Sequence, residues 1–434
     1  MHRSAFAALA TFASIAALLL AATGAVAQPF SFTMLVRTGA ATPGIGVTFD
    51  QLGPPVIDHG NVAFCGQSFS SPVAGGFHFV DPAGAVTAIA TEQTPSPLGG
   101  SFQDLCIEPK PPSIDGDEVA FVARSSGGLG VFRWDGATLD TIVDEDTVFP
   151  DTSADVRGFE APSLDGRVAI TWSNSPQSPN FAGVYSFGPL GLEAIADTNL
   201  PEDDGAPFFN VSFGTVSGPE SGPGVILDNA AFAFWVNQSP SGPHFVYRRP
   251  VEAGVVGEIE LIAGPNSEAD GGAKLVDEPI FPQMDRSDRT QLCFRDGGAV
   301  PRVYRWNGEA IETVADTSAP IPDGDGTFTG FGIHCAIDDG DVVFVGYGAD
   351  GQQGVYLAPS IGGLVEVVST SDTLGGETPF IFQVSREAIS DGEIAFEAAA
   401  GFTRAIWVTR APEADAALAA IVALGALAGV RRRR

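Results

Sequence analysis

Acidic side chains are the residues of this chain whose type and spacing best suit ligand chemistry. In the segment Asp323-Gly324-Asp325-Gly326, two carboxylates alternate with glycines. Hard oxygen ligands of this kind suit calcium, and glycine leaves the backbone free to wrap a cation. Asp323 and Asp325 are therefore the candidate calcium ligands. The alternative interpretation is a solvated acidic turn, because the segment does not match the twelve-residue EF-hand loop. Similar acidic residues occur at 144–146, 202–204, 268 and 270.

Motifs for other kinds of catalysis are sparse. The chain contains no G-x-S-x-G elbow, no P-loop and no H-E-x-x-H. The histidines after the first 27 residues share no spacing that would predict a metal centre; they are His59, His78, His244 and His334. A glycosidase needs two carboxyl groups about 5–10 Å apart. With 53 acidic residues in the chain, such a pair remains open as an alternative.

The four cysteines predict two disulfides. Cys65 follows a short apolar strand and Cys106 lies in the first strand of the next unit, and Cys293 and Cys335 hold the same two places further along. Four cysteines allow three pairings, but this symmetry favours Cys65–Cys106 and Cys293–Cys335. Buried free thiols are the alternative. Metal binding is not favoured, because no C-x-x-C spacing is present.

The elements that carry these residues are repeated along the chain. The segment Pro-Ser-Ile-Asp-Gly-Asp-Glu-Val-Ala-Phe at 112–121 has counterparts whose turn positions fall at 58, 115, 165, 228, 285, 338 and 390. The spacing is roughly 50 to 63 residues, and a fixed period of this size indicates an array or a propeller. The Asp-Gly pairs are interpreted as tight-turn residues. The phenylalanines at one equivalent strand position are interpreted as core residues.

Each unit accommodates four strands, as in a propeller blade. Tandem sandwiches would need about 100 residues per domain, whereas these units are similar in length to kelch-type repeats of about 50. The predicted fold is therefore an all-β, seven-bladed β-propeller of four-stranded blades, with six or eight blades as alternatives. The seventh unit lacks a fourth strand, and residues 31–38 resemble the fourth strands of other units. We therefore expect this N-terminal segment to pair with the last blade and close the ring.

The two ends predict export. Arg3, the apolar run 5–22 and the small residues Ala25-Val26-Ala27 are typical of a signal peptide over residues 1–27, with a retained membrane anchor as the alternative. Residues 28–410 would form the propeller. Over 411–434, Pro412-Glu413-Ala414 precedes an apolar run and Arg431 to Arg434. This segment resembles the PEP-CTERM sorting signals, although Ala414 replaces their second proline. A plain C-terminal anchor is the alternative, with the arginines on the cytoplasmic side.

The charge excludes one class of partner. The formal net charge is −31, and the chain has 22 basic residues in all. Phosphate binding needs clustered lysine and arginine, so nucleic acid is not expected. The membrane would be contacted only through the C-terminal segment. A closed ring predicts a monomer on the cell surface or in the matrix of a Gram-negative bacterium, as the resemblance to PEP-CTERM proteins implies.

Two functions remain for such a protein. Residues 30–410 as a whole resemble uncharacterised propeller-like repeat proteins that often carry PEP-CTERM tails, and this resemblance implies no activity. Since PEP-CTERM systems are associated with exopolysaccharide production, the first hypothesis is a non-catalytic propeller that binds a polysaccharide or another exported protein. The alternative is a glycoside hydrolase or lyase with paired carboxylates at the channel mouth.

Overall fold

Seven sheets follow one another along the chain and form a seven-bladed propeller, as predicted. The computed structural model describes residues 30–411 except 45, 70–73, 104, 107–109, 151–155, 174–181, 190, 199–209, 218–229, 238–242, 253–254, 271–273, 276–278 and 297–299. Residues Phe32–Val408 form one compact unit. The signal-peptide and sorting-segment predictions lie outside the described residues, apart from Ala411.

Blades one to three have the same arrangement, in which the first strand is split into two short segments. Blade one contains β2 (Gln51–Leu52), β3 (Val56–Asp58), β4 (Asn61–Ser68), β5 (Ala74–Val80) and β6 (Val86–Thr91). Blade two contains β7 (Phe102–Gln103), β8 (Ser113–Asp115), β9 (Glu118–Ser125), β10 (Gly128–Trp134) and β11 (Leu139–Asp144). Blade three contains β12 (Gly158–Phe159), β13 (Ser163–Asp165), β14 (Arg167–Ser173), β15 (Ala182–Gly188) and β16 (Gly191–Asp197).

Blades four to six have a continuous first strand. Blade four contains β17 (Asn210–Ser217), β18 (Ala230–Asn237), β19 (His244–Glu252), β20 (Val255–Val256) and β21 (Glu260–Ala263). Blade five contains β22 (Pro279–Met284), β23 (Leu292–Asp296), β24 (Arg302–Trp306) and β25 (Ile311–Asp316). Blade six contains β26 (Gly330–Asp338), β27 (Asp341–Tyr347), the short 3-10 helix Ala349–Gly351, β28 (Gln353–Ala358) and β29 (Val365–Ser369).

Blade seven joins the two ends of the propeller. It contains β30 (Ile381–Gln383), β31 (Ile389–Ser390), β32 (Glu393–Ala400), β33 (Thr403–Arg410) and, as its outermost strand, β1 (Phe32–Arg37). The backbone N–H of Thr38 donates to the Arg404 carbonyl at 2.8 Å. Val36 on β1 is buried in one cluster with Ile57 of blade one. The predicted closure by the N-terminal strand is therefore confirmed, and it removes an open sheet edge.

The hydrophobic core lies between neighbouring blades. The recurring phenylalanines are fully buried, as predicted; they are Phe64, Phe121, Phe234, Phe344 and Phe396. Phe121 of blade two, for example, stacks on Phe77 of blade one with ring centroids 4.4 Å apart. Each sheet therefore buries its apolar face against the next sheet, which is the reason a repeat of this kind is stable only as an array.

The recurring aspartate at the end of the first strand joins successive blades. Its carboxylate accepts a hydrogen bond from a backbone N–H in the turn of the next blade: Asp58 from Gly116 at 2.6 Å, Asp115 from Gly166 at 2.7 Å, Asp285 from Gly340 at 2.7 Å and Asp338 from Asp391 at 2.7 Å. From blade seven to blade one, Ser390 takes this place and its Oγ accepts from the His59 N–H at 3.2 Å. The aspartate is therefore an inter-blade acceptor as well as a turn residue, which the turn interpretation alone missed.

Among the described residues, no helix has the length and apolar character needed to cross a membrane.

Candidate functional site

The first strands of the blades surround the propeller axis, and every one of them is irregular. In blades one, two, three and seven the strand is split, and in blades four, five and six its register shifts at a bulge. Proline lies at several of these interruptions, including Pro54, Pro162 and Pro282. Because proline has no N–H to complete a ladder, it interrupts the strand. Polar side chains of these segments meet near the axis.

Five buried or nearly buried residues form an axial cluster: Asp58, Ser113, Arg286, Arg386 and Glu387. Arg286 of blade five binds Glu387 of blade seven at 2.9 Å and Asp58 of blade one at 3.3 Å. The Ser113 hydroxyl of blade two donates to the two Glu387 carboxylate oxygens at 2.6 and 2.8 Å. The axial cluster therefore links blades that are not neighbours along the chain.

The ion pair between Asp58 and Arg286 favours the charged forms of these two groups. Burial would raise the pKa of Asp58, but the charge of Arg286, the Gly116 N–H and His59 together lower it. Burial opposes the charged form of Arg286 as well, yet Glu387 and Asp58 raise the pKa of this guanidinium. A carboxylate held in this way is a poor proton donor. Asp58 is therefore held as a carboxylate that braces the ring.

A second group, the mouth cluster, consists of Arg295, His334 and Arg386, so that Arg386 belongs to both clusters. Arg295 of blade five donates from Nη1 to the Gly332 carbonyl of blade six at 3.0 Å, two residues before His334. Burial, followed by the positive charges of Arg386 and Arg295, lowers the pKa of His334 to about 4. At neutral pH the imidazole is therefore uncharged beside two guanidinium groups.

A row of rings adjoins the mouth cluster. It runs His244–Trp235–Phe281–His334 through blades four, five and six, with neighbouring ring centroids 4.5, 6.4 and 5.7 Å apart. Phe281 lies at the bulge of β22 with a φ of 53°, in the left-handed region. A bulky residue at positive φ is uncommon, and such backbone is concentrated at binding sites.

One face of the propeller carries most of the exposed apolar side chains. We call it the loop face; it holds the connections between second and third strands and the connections between blades. Seven large apolar residues on it are exposed: Phe69, Val148, Val300, Ile333, Tyr347, Phe380 and Phe402. On the opposite face, where the tight turns lie, the exposed large apolar residues among those described include Val255 and Ile361. Exposed apolar patches of this kind mark interaction surfaces.

The candidate calcium ligands lie on the loop face but away from the axis. Asp323 and Asp325 are exposed in the connection from blade five to blade six. Gly324 between them lies against the Gln352 side chain, and the charge of Asp323 acts on Glu366 of β29. Within the described part of the chain, no group of three or more His, Cys, Asp or Glu is arranged to hold a metal ion. Calcium binding at Asp323 and Asp325 stays a prediction.

The structure joins the cysteines in the pairs that the symmetry favoured. Cys65–Cys106 links blade one to blade two and Cys293–Cys335 links blade five to blade six, with Cα atoms 5.8 and 6.3 Å apart. A small cleft lies beside the first disulfide and is lined in part by Lys110. Its ammonium donates to the Phe159 carbonyl of blade three at 2.5 Å. This lysine therefore supports the blade contacts.

Sequence reasoning missed the axial cluster and the mouth cluster. A signal was present: Arg386-Glu387 stands before the last turn, where blade three has Ala161-Pro162 and blade two has Pro111-Pro112. A charged pair where blades two and three have alanine or proline is a departure that marks a special site. The partner of that pair, Arg286, could not be identified in the same way, because contact across the ring follows from the tertiary structure.

The comparisons with known proteins bear on the fold. A model of a family of unknown function, DUF7453, matches residues 31–375. No curated protein matches this chain. Among solved structures, the beta-propeller domain of the Trilobed protease from Pyrococcus furiosus is 14% identical, with 83% of this chain and 93% of that chain covered and a TM-score of 0.48.

Two further solved structures are similar to this chain. A puromycin-hydrolyzing peptidase of Mycobacterium tuberculosis is 12% identical, with 80% of this chain and 58% of that chain covered and a TM-score of 0.39. Trypanosoma rangeli sialidase in complex with sialic acid is 10% identical, with 91% and 60% covered and a TM-score of 0.36. The chain thus spans less than two thirds of these two proteins. At such identities the likeness concerns the fold alone.

Proposed function

The chain belongs to the DUF7453 family, whose function is unknown, and we propose from its own geometry that it is an exported, non-catalytic propeller that binds a polysaccharide through the loop face. The observation that carries this proposal is the concentration of exposed apolar side chains on that face. Among them are Tyr347, Phe380 and Phe402. Aromatic rings suit polysaccharides, because sugar rings present apolar C–H faces that stack on them.

The axial cluster supports binding over catalysis. A glycosidase needs one carboxyl group that can hold a proton near the operating pH and a second that is free to act as base or nucleophile. Asp58 and Glu387 are bound to Arg286 and to serine or backbone donors. With these carboxylates engaged in bracing, the proposed role of the channel is to hold a ligand without cleaving it.

The proposed location of the protein outside the cell is supported by the residues at the two ends of the chain and by the disulfides. The apolar N-terminal segment, the PEP-CTERM-like tail and two disulfide bonds suit an exported protein, since such bonds persist in oxidising compartments. In this proposal the C-terminal segment directs the propeller to the cell surface or matrix. There the acidic body keeps it soluble.

A glycan array with the mature protein tests this function, followed by a reducing-end assay on each glycan that binds. Binding without product is expected. Tyr347→Ala and Phe402→Ala should each weaken the binding, whereas Ile361→Ala on the opposite face is the matched control and should leave it unchanged. Release of product would favour a glycoside hydrolase or lyase. Capture of an exported protein with no glycan bound would mean that the loop face recognises protein.

A further inference from the structure

Neither guanidinium of the mouth cluster has a carboxylate oxygen within hydrogen-bond distance among the described residues. Arg386 is 6% exposed and donates from Nη2 to the Ala161 and Pro162 carbonyls of blade three. Its Nε has no hydrogen-bond partner among the described residues. The nearest carboxylate oxygen, Oε1 of Glu387, lies 3.8 Å away, and Glu387 already binds Arg286. Arg286 has a second carboxylate partner in Asp58, whereas Arg386 has only this longer contact with Glu387.

Arg295 adds a second incompletely balanced guanidinium. Its hydrogen-bond partners among the described residues are neutral: Nη1 donates to the Gly332 carbonyl at 3.0 Å, and Nε lies 3.5 Å from the Asp296 carbonyl. No carboxylate of the described residues forms a salt bridge with Arg295. Burial is the largest cause that lowers the pKa of this arginine, against the opposing charges of Tyr347 and Asp296. A partly buried guanidinium that has no carboxylate in direct contact is suited to receive an anion, since burying a charge without a close counter-charge is unfavourable.

His334 is two residues from Gly332, whose carbonyl accepts from Arg295, and the charges of Arg295 and Arg386 both act on its imidazole. Its imidazole forms no hydrogen bond with the described residues, and Ile333 beside it is 58% exposed. Phe281 supports the imidazole on one side. The charged groups that act on His334 are Arg386 from blade seven and Arg295 from blade five. An anion placed here would contact two guanidinium groups and one imidazole, with a row of rings alongside.

From this geometry we infer that the mouth cluster is a binding site for the carboxylate of an acidic sugar, with Arg295, Arg386 and His334 as its ligands. The inference rests on the proposed function and narrows its polysaccharide to one that carries carboxylates. The planar fork of arginine matches a carboxylate with two parallel hydrogen bonds. The row of rings, Phe281 and Trp235 in particular, would contact the apolar side of the sugar.

The site also fits the charge of the whole molecule. With a formal net charge of −31, the protein as a whole repels anions. An acidic polysaccharide would therefore be held where positive charge is local and incompletely balanced, and not over the general surface. The acidic loop at Asp323 and Asp325 lies beside Gln352 and Glu366 of blade six.

Histidine NMR tests this inference directly. In mature protein labelled with 13C-histidine, the His334 pKa should be about 4 without ligand, and a galacturonic acid oligomer should raise it by about one pH unit or more. The methyl ester of the same oligomer, which lacks the charge, should leave it unchanged. Sodium acetate is tested as a separate ligand in the same titration, because it supplies a free carboxylate with no sugar ring.

Matched variants assign the effect to the cluster. Arg295→Gln should weaken oligomer binding in calorimetry by roughly tenfold to a hundredfold, and Arg295→Lys should restore part of it. His334→Gln is a second variant that leaves both arginines in place. Arg124→Gln, which changes an exposed arginine on the second strand of blade two, is the control and should bind normally.

The outcomes separate the two proposals. If neutral glycans bind the loop face, but neither acetate nor the oligomer moves the His334 pKa, the carboxylate site is refuted and the proposed function stands. If no glycan binds, yet acetate raises the His334 pKa in the wild type and not in Arg295→Gln, the anion site stands and the polysaccharide function fails. Equal binding of oligomer and methyl ester refutes recognition of the carboxylate.

Discussion

A buried aspartate at the junction of blades six and seven should make the stability of the propeller depend on pH near neutrality. Asp338 ends β26, is 9% exposed, and accepts the Asp391 N–H at 2.7 Å. Burial, followed by the charge of Asp285, raises its pKa to about 7. Burial also raises the pKa of Asp285.

The sign and size follow from proton linkage. An aspartate has a pKa of 3.8 when unfolded, so between about pH 4 and pH 7 the folded protein holds a proton on Asp338 that the unfolded chain has lost. Stability therefore falls as pH rises through this range and levels off above pH 7. A pKa difference of one unit corresponds to about 1.4 kcal/mol. The ionisation of Asp338 therefore lowers the free energy of unfolding by up to about 4 kcal/mol at pH 8.

Asp338→Asn removes the charge and keeps an oxygen to accept the Asp391 N–H. We expect a free energy of unfolding close to that of the wild type at pH 4 and higher at pH 8, by up to about 4 kcal/mol. Urea unfolding followed by tryptophan fluorescence at several pH values measures this difference.

The matched control is Asp115→Asn. Asp115 holds the same place in blade two and accepts the Gly166 N–H at 2.7 Å, but its charge acts on Arg286. Removing a carboxylate that faces an arginine should not stabilise the protein at pH 8. If Asp338→Asn gives no gain at pH 8, or if Asp115→Asn gives the same gain, the account of Asp338 is wrong.

Three further predictions concern the links that hold the ring together. Deleting Phe32–Arg37 should lower the melting temperature by several degrees and produce soluble oligomers, because it exposes the edge of blade seven. Calorimetry measures the melting temperature and light scattering the oligomers. A monomer with an unchanged melting temperature would contradict closure of the ring by the N-terminal strand. Glu387→Ala should lower the free energy of unfolding by about 3–5 kcal/mol, because Arg286 loses its main buried partner, and a loss below 1 kcal/mol in urea unfolding would argue against the axial cluster. Replacing both Cys293 and Cys335 by alanine should lower the free energy of unfolding by about 4 kcal/mol in the chain-entropy model, as measured by urea unfolding with and without reductant. If reductant lowers the free energy of unfolding of the double variant by the same amount again, that second loss belongs to the Cys65–Cys106 disulfide.

Much of the architecture could be predicted because the information is local and repeated. Phe64 and Phe121 occupy the same place in their units, so one pattern predicted their burial in every blade. The N-terminal strand was predictable because residues 31–38 resemble fourth strands elsewhere in the chain. The cysteine pairs followed from two equivalent spacings.

The candidate site could not be predicted in this way. Arg286 and Glu387 are far apart in sequence and meet because the ring places blade five opposite blade seven. Asp58 and Asp338 occupy the same place in their units. Burial raises the pKa of both, but Arg286 and hydrogen bonds outweigh it at Asp58, whereas the charge of Asp285 adds to it at Asp338.

The sequence by itself determined the repeated strands, the number of blades and the way the ring closes, because each of these depends on short-range pattern and on chain length. The tertiary structure alone decided which charges meet at the axis and which remain incompletely balanced at the mouth. Electrostatic energy depends on distance and burial in space, and a repeat unit cannot encode what the blade across the axis brings to it.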